Sequence, residues 1–138
     1  MIIRTVEEIK NKIKEGFSTD FFGFGVQDIA EALPFEDVKE MLTEEFLNKF
    51  NAKELWEKDR LKTKDDVVNK MKDYLDFAWD KANSERGLSA DRSIQHYIAW
   101  SWLIDDQLYN ELVRMYKTEY RDYGKNILSY IEKWLNNQ

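Results

Sequence analysis

The chain has no cysteine, one proline, one histidine and five glycines among 138 residues, and each scarcity closes off some chemistry. Without cysteine there are no disulfides, thiolate zinc sites, iron–sulfur clusters or cysteine nucleophiles. A lone histidine with no thiol beside it is a poor start for a transition-metal centre, so neither metal nor cofactor is expected. No apolar run approaches the roughly 18 residues of a membrane span, since the longest, Tyr97 to Ile104, is broken by Ser101. The opening MIIRTVEEIKNK turns charged at once and lacks the apolar middle of a signal peptide. A cytoplasmic protein without a membrane partner is the expectation.

What is present is apolar and aromatic material in helical register. Hydrophobic residues make up 43% and aromatics 14%, the composition of a globular core. Thr5-Val6-Glu7-Glu8 has capping-box spacing and opens a helix over 6–15. Gln27 to Leu33 reads as a short helix. Pro34 suits the first turn of the next, with Phe35, Val38, Met41 and Leu42 on its inner face. After a cap at Thr43 the pattern continues through Phe46, Leu47 and Phe50. Phe17–Gly25 is aperiodic and reads as a turn or a short hairpin.

Thr63 caps the strongest helix, with Asp65 and Asp66 at its positive end and Val67, Met71, Tyr74/Leu75, Ala78 and Ala82 at helical spacing. From Ser89 to Ile104 apolar side chains point in nearly all directions, as in a helix surrounded by others. Two amphipathic helices follow, the first over Gln107–Lys117 with Asp106 placed to cap it. The expected architecture is all-α: a single domain over 1–138, a bundle of about six or seven helices around a buried central helix at 89–104.

Charge is concentrated. Asp20, Asp28, Glu31, Glu36, Asp37, Glu40, Glu44 and Glu45 face only Lys39 between positions 20 and 45, a net of −7 out of the chain's −6, the remainder being +1. These eight carboxylates, with Phe21, Phe22, Phe24 and Phe35 among them, form a candidate surface for a protein partner with a basic groove. The bland alternative is the solvated face of an amphipathic helix pair. An overall pI near 4.9 argues against nucleic acid as a direct ligand. Lysine alternating with glutamate over 49–64 reads as a solvated helix face.

A second candidate lies at Ser89, Arg92, His96 and Trp100, spaced three and four apart on one helical face. Arg92 and His96 would grip a phosphate or carboxylate, with Trp100 as the apolar wall and Ser89 at the helix start. The structural alternative has Arg92 paired with Asp76 or Asp80, and His96 bonded to a backbone carbonyl. No catalytic motif organises the chain: Gly23-Phe24-Gly25 lacks the rest of a dinucleotide fingerprint, and no phosphate-cradling loop or nucleophile elbow occurs.

The stretches DFFGF (Asp20–Phe24), LPFEDVK (Leu33–Lys39), FAWDKAN (Phe77–Asn83), RGLSADRS (Arg86–Ser93) and HYIAWSWL (His96–Leu103) resemble small proteins of bacteria and their mobile elements to which no activity is assigned. The resemblance implies an accessory protein that acts by binding, such as an anti-CRISPR-like or other anti-defence inhibitor. It transfers no functional residue. Three readings therefore stand: an acidic protein-binding module, an anion or small-molecule binder with or without turnover, and a structural or oligomerising helical protein.

Overall fold

The computed structural model describes residues 1–15, 25–84, 88–118 and 123–138. Among these the chain forms nine helices and no strand. They are α1 (Val6–Glu15), α2 (Gly25–Ala30), α3 (Phe35–Val38), α4 (Glu44–Leu47), α5 (Ala52–Asp59), α6 (Lys64–Asn83), α7 (Leu88–Ile104), α8 (Asp106–Thr118) and α9 (Tyr123–Asn136). The all-α bundle is as the sequence predicts, with more helices than expected. The excess comes from 34–60, where three short helices replace one continuing pattern. The turn or hairpin expected over Phe17–Gly25 lies outside the described residues except for Gly25, which begins α2.

α7 is the centre of the bundle and packs against α2, α6, α8 and α9. Ile94, Tyr97, Ile98, Ala99, Trp100, Leu103 and Ile104 are all buried. On so enclosed a helix polar side chains must find partners without water, and most do, Gln95 Oε1 and the Trp100 indole N–H being exceptions among the described residues. Ser101 Oγ donates to the Ile98 carbonyl at 2.7 Å, and Tyr97 Oη donates to the Met71 carbonyl of α6 at 2.8 Å. The carbonyls at the helix's C-terminal end find donors in the N-terminal strap, since Ile3 N–H reaches the Leu103 carbonyl at 3.0 Å and Arg4 Nε the Trp102 carbonyl at 2.9 Å. Arg4 also lies over the Trp102 indole, 4.4 Å from its centre, and pairs with Asp106 at 2.5 Å.

Local capping follows the sequence closely. Thr5 and Glu8 close the box on α1, Glu8 N–H donating to Thr5 Oγ1 at 3.1 Å. Thr63 and Asp66 do the same for α6. Hydrogen bonds from the backbone N–H groups, that of Lys62 above all and that of Thr63 with it, hold the Asp66 carboxyl below the usual carboxylate range against the opposing effect of burial. At α8 the expected cap is one residue out. Leu108 N–H donates to Asp105 Oδ1 at 2.7 Å, so Asp105 caps the helix and Asp106 begins it.

The 34–60 region departs most from expectation. Pro34 sits just before α3 in extended conformation and has no side chain to cap with. Glu57 of α5 supplies the acceptor instead, taking the Phe35 N–H at 2.7 Å. That bond, and then Arg60, hold the Glu57 carboxyl low. Trp56 Nε1 donates to the Leu33 carbonyl at 2.8 Å, and Arg60 Nη1 to that of Ala32 at 3.3 Å, fastening α5 across the end of α2. Thr43 does cap α4, accepting from Phe46 N–H at 3.2 Å. Each new cap restarts the helical register, so the apolar pattern does not run through. Phe35 and Val38 are buried, but Met41, Leu47 and Phe50, expected on the inner face, are exposed.

Candidate functional site

Two regions gather the polar side chains singled out above. The first is a hollow of about 270 Å³ between α6 and α7, lined by Tyr74, Phe77, Lys81, Arg92, Ser93 and His96. Tyr74, Phe77 and Lys81 recur at three- and four-residue spacing on α6, and Ser93 and His96 face them from α7, one turn apart. The hydroxyls of Tyr74 and Ser93 are 3.5 Å apart. Burial, more than the neighbouring groups, keeps the Tyr74 phenol above its ordinary pKa, so it remains a hydrogen-bond donor.

His96 is the hinge between this hollow and the core. Its side chain is 28% exposed, and its Nδ1 bonds the carboxylate of Asp28 from α2. A carboxylate only accepts, so Nδ1 carries a proton, and Nε2 makes no hydrogen bond with the described residues. The imidazole stacks on Trp100, centroids 5.8 Å apart and planes 23° apart, and meets Tyr74 edge-on at 5.5 Å.

This geometry corrects several expectations. Asp28 is not part of an acidic surface: it is 6% exposed, because α2 packs against α7 and turns that position inward, where the imidazole meets the charge. The His96 partner is therefore a carboxylate, not a backbone carbonyl. Trp100 is not a pocket wall, being 2% exposed in the layer beneath the histidine. Its place is taken by Tyr74 and Phe77, which the sequence reading missed together with Lys81. Their spacing on α6 was the available signal. Arg92 lines the hollow and is exposed. Ser89 is within α7, but its side chain lies outside the described residues.

The second region is the acidic segment. Glu31 pairs with Lys70, Asp37 with Lys10 at 2.5 Å, and Glu36 with Lys39 at 3.1 Å and Lys53 at 3.3 Å. The two lysines, Lys39 first, hold the Glu36 carboxyl below its usual range. Glu40, Glu44 and Glu45 are exposed and make no ion pair among the described residues. Asp20 lies outside those residues. The structure thus separates one sequence cluster into a buried acid, three neutralised ones and three bare ones.

Exposed apolar side chains accompany the bare carboxylates. Met41 precedes α4, Leu47 ends it, and Phe50 follows at 88% exposure. Phe50 is held at a tight reversal because Asn51, with φ of 60°, turns the backbone left-handed before α5. Beside this segment an apolar hollow of about 470 Å³ is lined by Ile13, Val38, Met41, Leu42, Phe46 and Trp56 among others.

No group of three or more His, Asp or Glu among the described residues is arranged to hold a metal ion. No described helix is long and apolar enough to cross a membrane. Compared with protein-family models, curated proteins and solved structures, the chain matches none of them.

Proposed function

We propose that the protein is a binding module that engages a protein partner through the 36–50 segment. The observation that carries this reading is Phe50, an aromatic ring almost wholly in solvent, within ten residues of Glu40, Glu44 and Glu45. Exposed aromatic anchors are the usual energetic centre of an interface, and flanking charges set its partner and its association rate. Three bare carboxylates beside Met41, Leu47 and Phe50 fit a partner with a basic surface and an apolar socket. An accessory protein that occludes a basic groove, as the mobile-element resemblance implies, would present such a segment.

The test is affinity capture at low salt with the wild type and with Glu40→Lys, Glu44→Lys and Glu45→Lys combined. These side chains are exposed, so the variant keeps its fold. The captured protein should carry a basic surface, elute as salt is raised, and bind the variant about tenfold more weakly, chiefly through slower association. Glu36 and Asp37 make poorer targets, because their charges are already met by lysines. Undiminished binding of the triple variant would contradict this reading.

A further inference from the structure

We propose that the element of the basic partner recognised by this protein is an amphipathic helix, which lies in an apolar groove running from α1 past α3 and α4 to α5. The proposal rests on the reading of the 36–50 segment as a protein-binding surface, and it names what that surface receives.

The groove is built from three hollows that share walls. The central one, of about 470 Å³, has Ile13 and Met41 in common with a second of about 350 Å³ between α1 and α3. It has Phe46 and Trp56 in common with a third of about 290 Å³, which Leu55 also lines. The outer two share no lining residue, so the central hollow lies between them. Each alone is no larger than a small-ligand pocket, whereas the row of three matches a length of chain. Among the described residues there is no strand, so the groove offers no sheet edge with which an extended peptide could pair. A helix needs none, because its backbone groups bond one another. Met41, at the junction of two hollows, adds an unbranched wall that adapts to the side chains set against it.

Charge selects the kind of helix. Lys10, Lys70 and Arg60 along the groove are paired with Asp37, Glu31 and Glu57. Glu40 at one end and Asp59 at the other make no ion pair among the described residues, nor do Glu44 and Glu45 on α4. Against these acids stand Lys14 and Lys49, which have no carboxylate among the described residues, and the Lys49 ammonium lies 5.9 Å from the centre of the Phe46 ring. The surplus is negative and borders an apolar floor. Its complement is a helix with an apolar stripe on one face and lysine or arginine on the others.

The probe is a synthetic peptide of about 18 residues, roughly 27 Å long as a helix, with leucines at i, i+3, i+4 and i+7 spacing and lysines elsewhere. One control holds the same residues in scrambled order, and another has glutamate in place of lysine. The chain has four methionines, so labelling their methyl carbons gives four NMR signals. Met41 lines the groove, while Met71 and Met115 are buried in the core, and Met41→Leu assigns the reporter. The peptide should shift the Met41 methyl saturably at micromolar concentration and leave those of Met71 and Met115 in place. The scrambled peptide should bind about tenfold more weakly, and the glutamate peptide not at all. Leu55 is 42% exposed and lines the third hollow, away from Met41. Leu55→Gln should therefore weaken binding severalfold as read at Met41, an effect that a guest confined to the central hollow would not feel. Glu40→Gln with Asp59→Asn should weaken it about threefold, and less at high salt. No saturable Met41 shift, equal affinity for the scrambled peptide, or unchanged affinity in Leu55→Gln would each overturn the proposal. Because the peptide is not the captured partner, these outcomes judge the groove alone, and capture with the triple charge reversal judges the binding-module reading separately.

Discussion

Trp100→Ala should destabilise the protein by about 3–5 kcal/mol, the range for emptying a buried aromatic site. The indole is 2% exposed and packs among side chains of α6 and of its own helix, α7. Tyr74 and Tyr97 both meet it edge-on, each with ring centres 5.3 Å away, His96 stacks on it, and Lys70 lies 5.7 Å from its centre. Such edge-to-face pairs add to the area effect. Net stabilities of domains this size are only about 5–15 kcal/mol, so the variant should lose a large part of its folding free energy. Its Tm should fall by roughly 10 °C or more. Trp100→Phe should cost much less. It keeps a ring in the cluster and deletes the indole N–H, which is buried without a hydrogen-bond acceptor among the described residues. Denaturant titration of the two variants checks this order, and a Trp100→Ala loss below about 1 kcal/mol would mean that α7 is not the packed centre.

The second large effect is an asymmetry across the Asp28–His96 pair. His96→Ala strands a carboxylate that is 6% exposed, whereas Asp28→Asn keeps a side-chain oxygen able to accept from Nδ1. Leaving a buried charge unpaired costs about 3–5 kcal/mol at a fully buried site. The histidine end is partly wet, so about 2–3 kcal/mol is expected for His96→Ala. Asp28→Asn exchanges a charged acceptor for a neutral one and should cost about 1 kcal/mol. In the Asp28→Ala/His96→Ala double variant the total should be less than the sum of the two single alanine losses, because neither partner is left alone. Equal losses for His96→Ala and Asp28→Asn would show that the pair does not carry buried charge.

What the sequence made legible divides by distance along the chain. The caps at Thr5, Thr43 and Thr63 depend on partners three residues away, and all three are present. The enclosure of α7 was readable because its apolar residues cover every direction of the helix. Asp28 and His96 are 68 positions apart, and nothing local marks either as the other's partner. The same holds for Glu57, which caps α3 from 22 residues away and leaves Pro34 with no capping role of its own. The inward assignment of Met41, Leu47 and Phe50 failed for a local reason. It carried one helical period across Thr43 and on toward Asn51, two places where the backbone restarts. Counting the eight acids as one surface failed because charge totals along a chain do not distinguish a carboxylate facing a lysine or an imidazole from one facing water.

The hollow at His96 was half legible. Arg92 and His96 share a face of α7, and the sequence placed them together. The opposing half belongs to α6 and depends on how two helices cross, which spacing within either helix does not specify. Trp100 was assigned to the pocket by its register with His96. Its ring instead lies deeper, against Tyr97 and Tyr74, where an aromatic of that size fills the core.

The reading of the protein as a binding module rests on the solvent-facing segment that ends at Phe50. The most direct measurement replaces Phe50 with a photoreactive phenylalanine analogue and, in a second protein, replaces Tyr130 of α9, another exposed aromatic. The account predicts that illumination of the captured complex joins the basic partner to position 50 and not to position 130. A partner that stays bound yet cross-links only from position 130, or from neither, would contradict it.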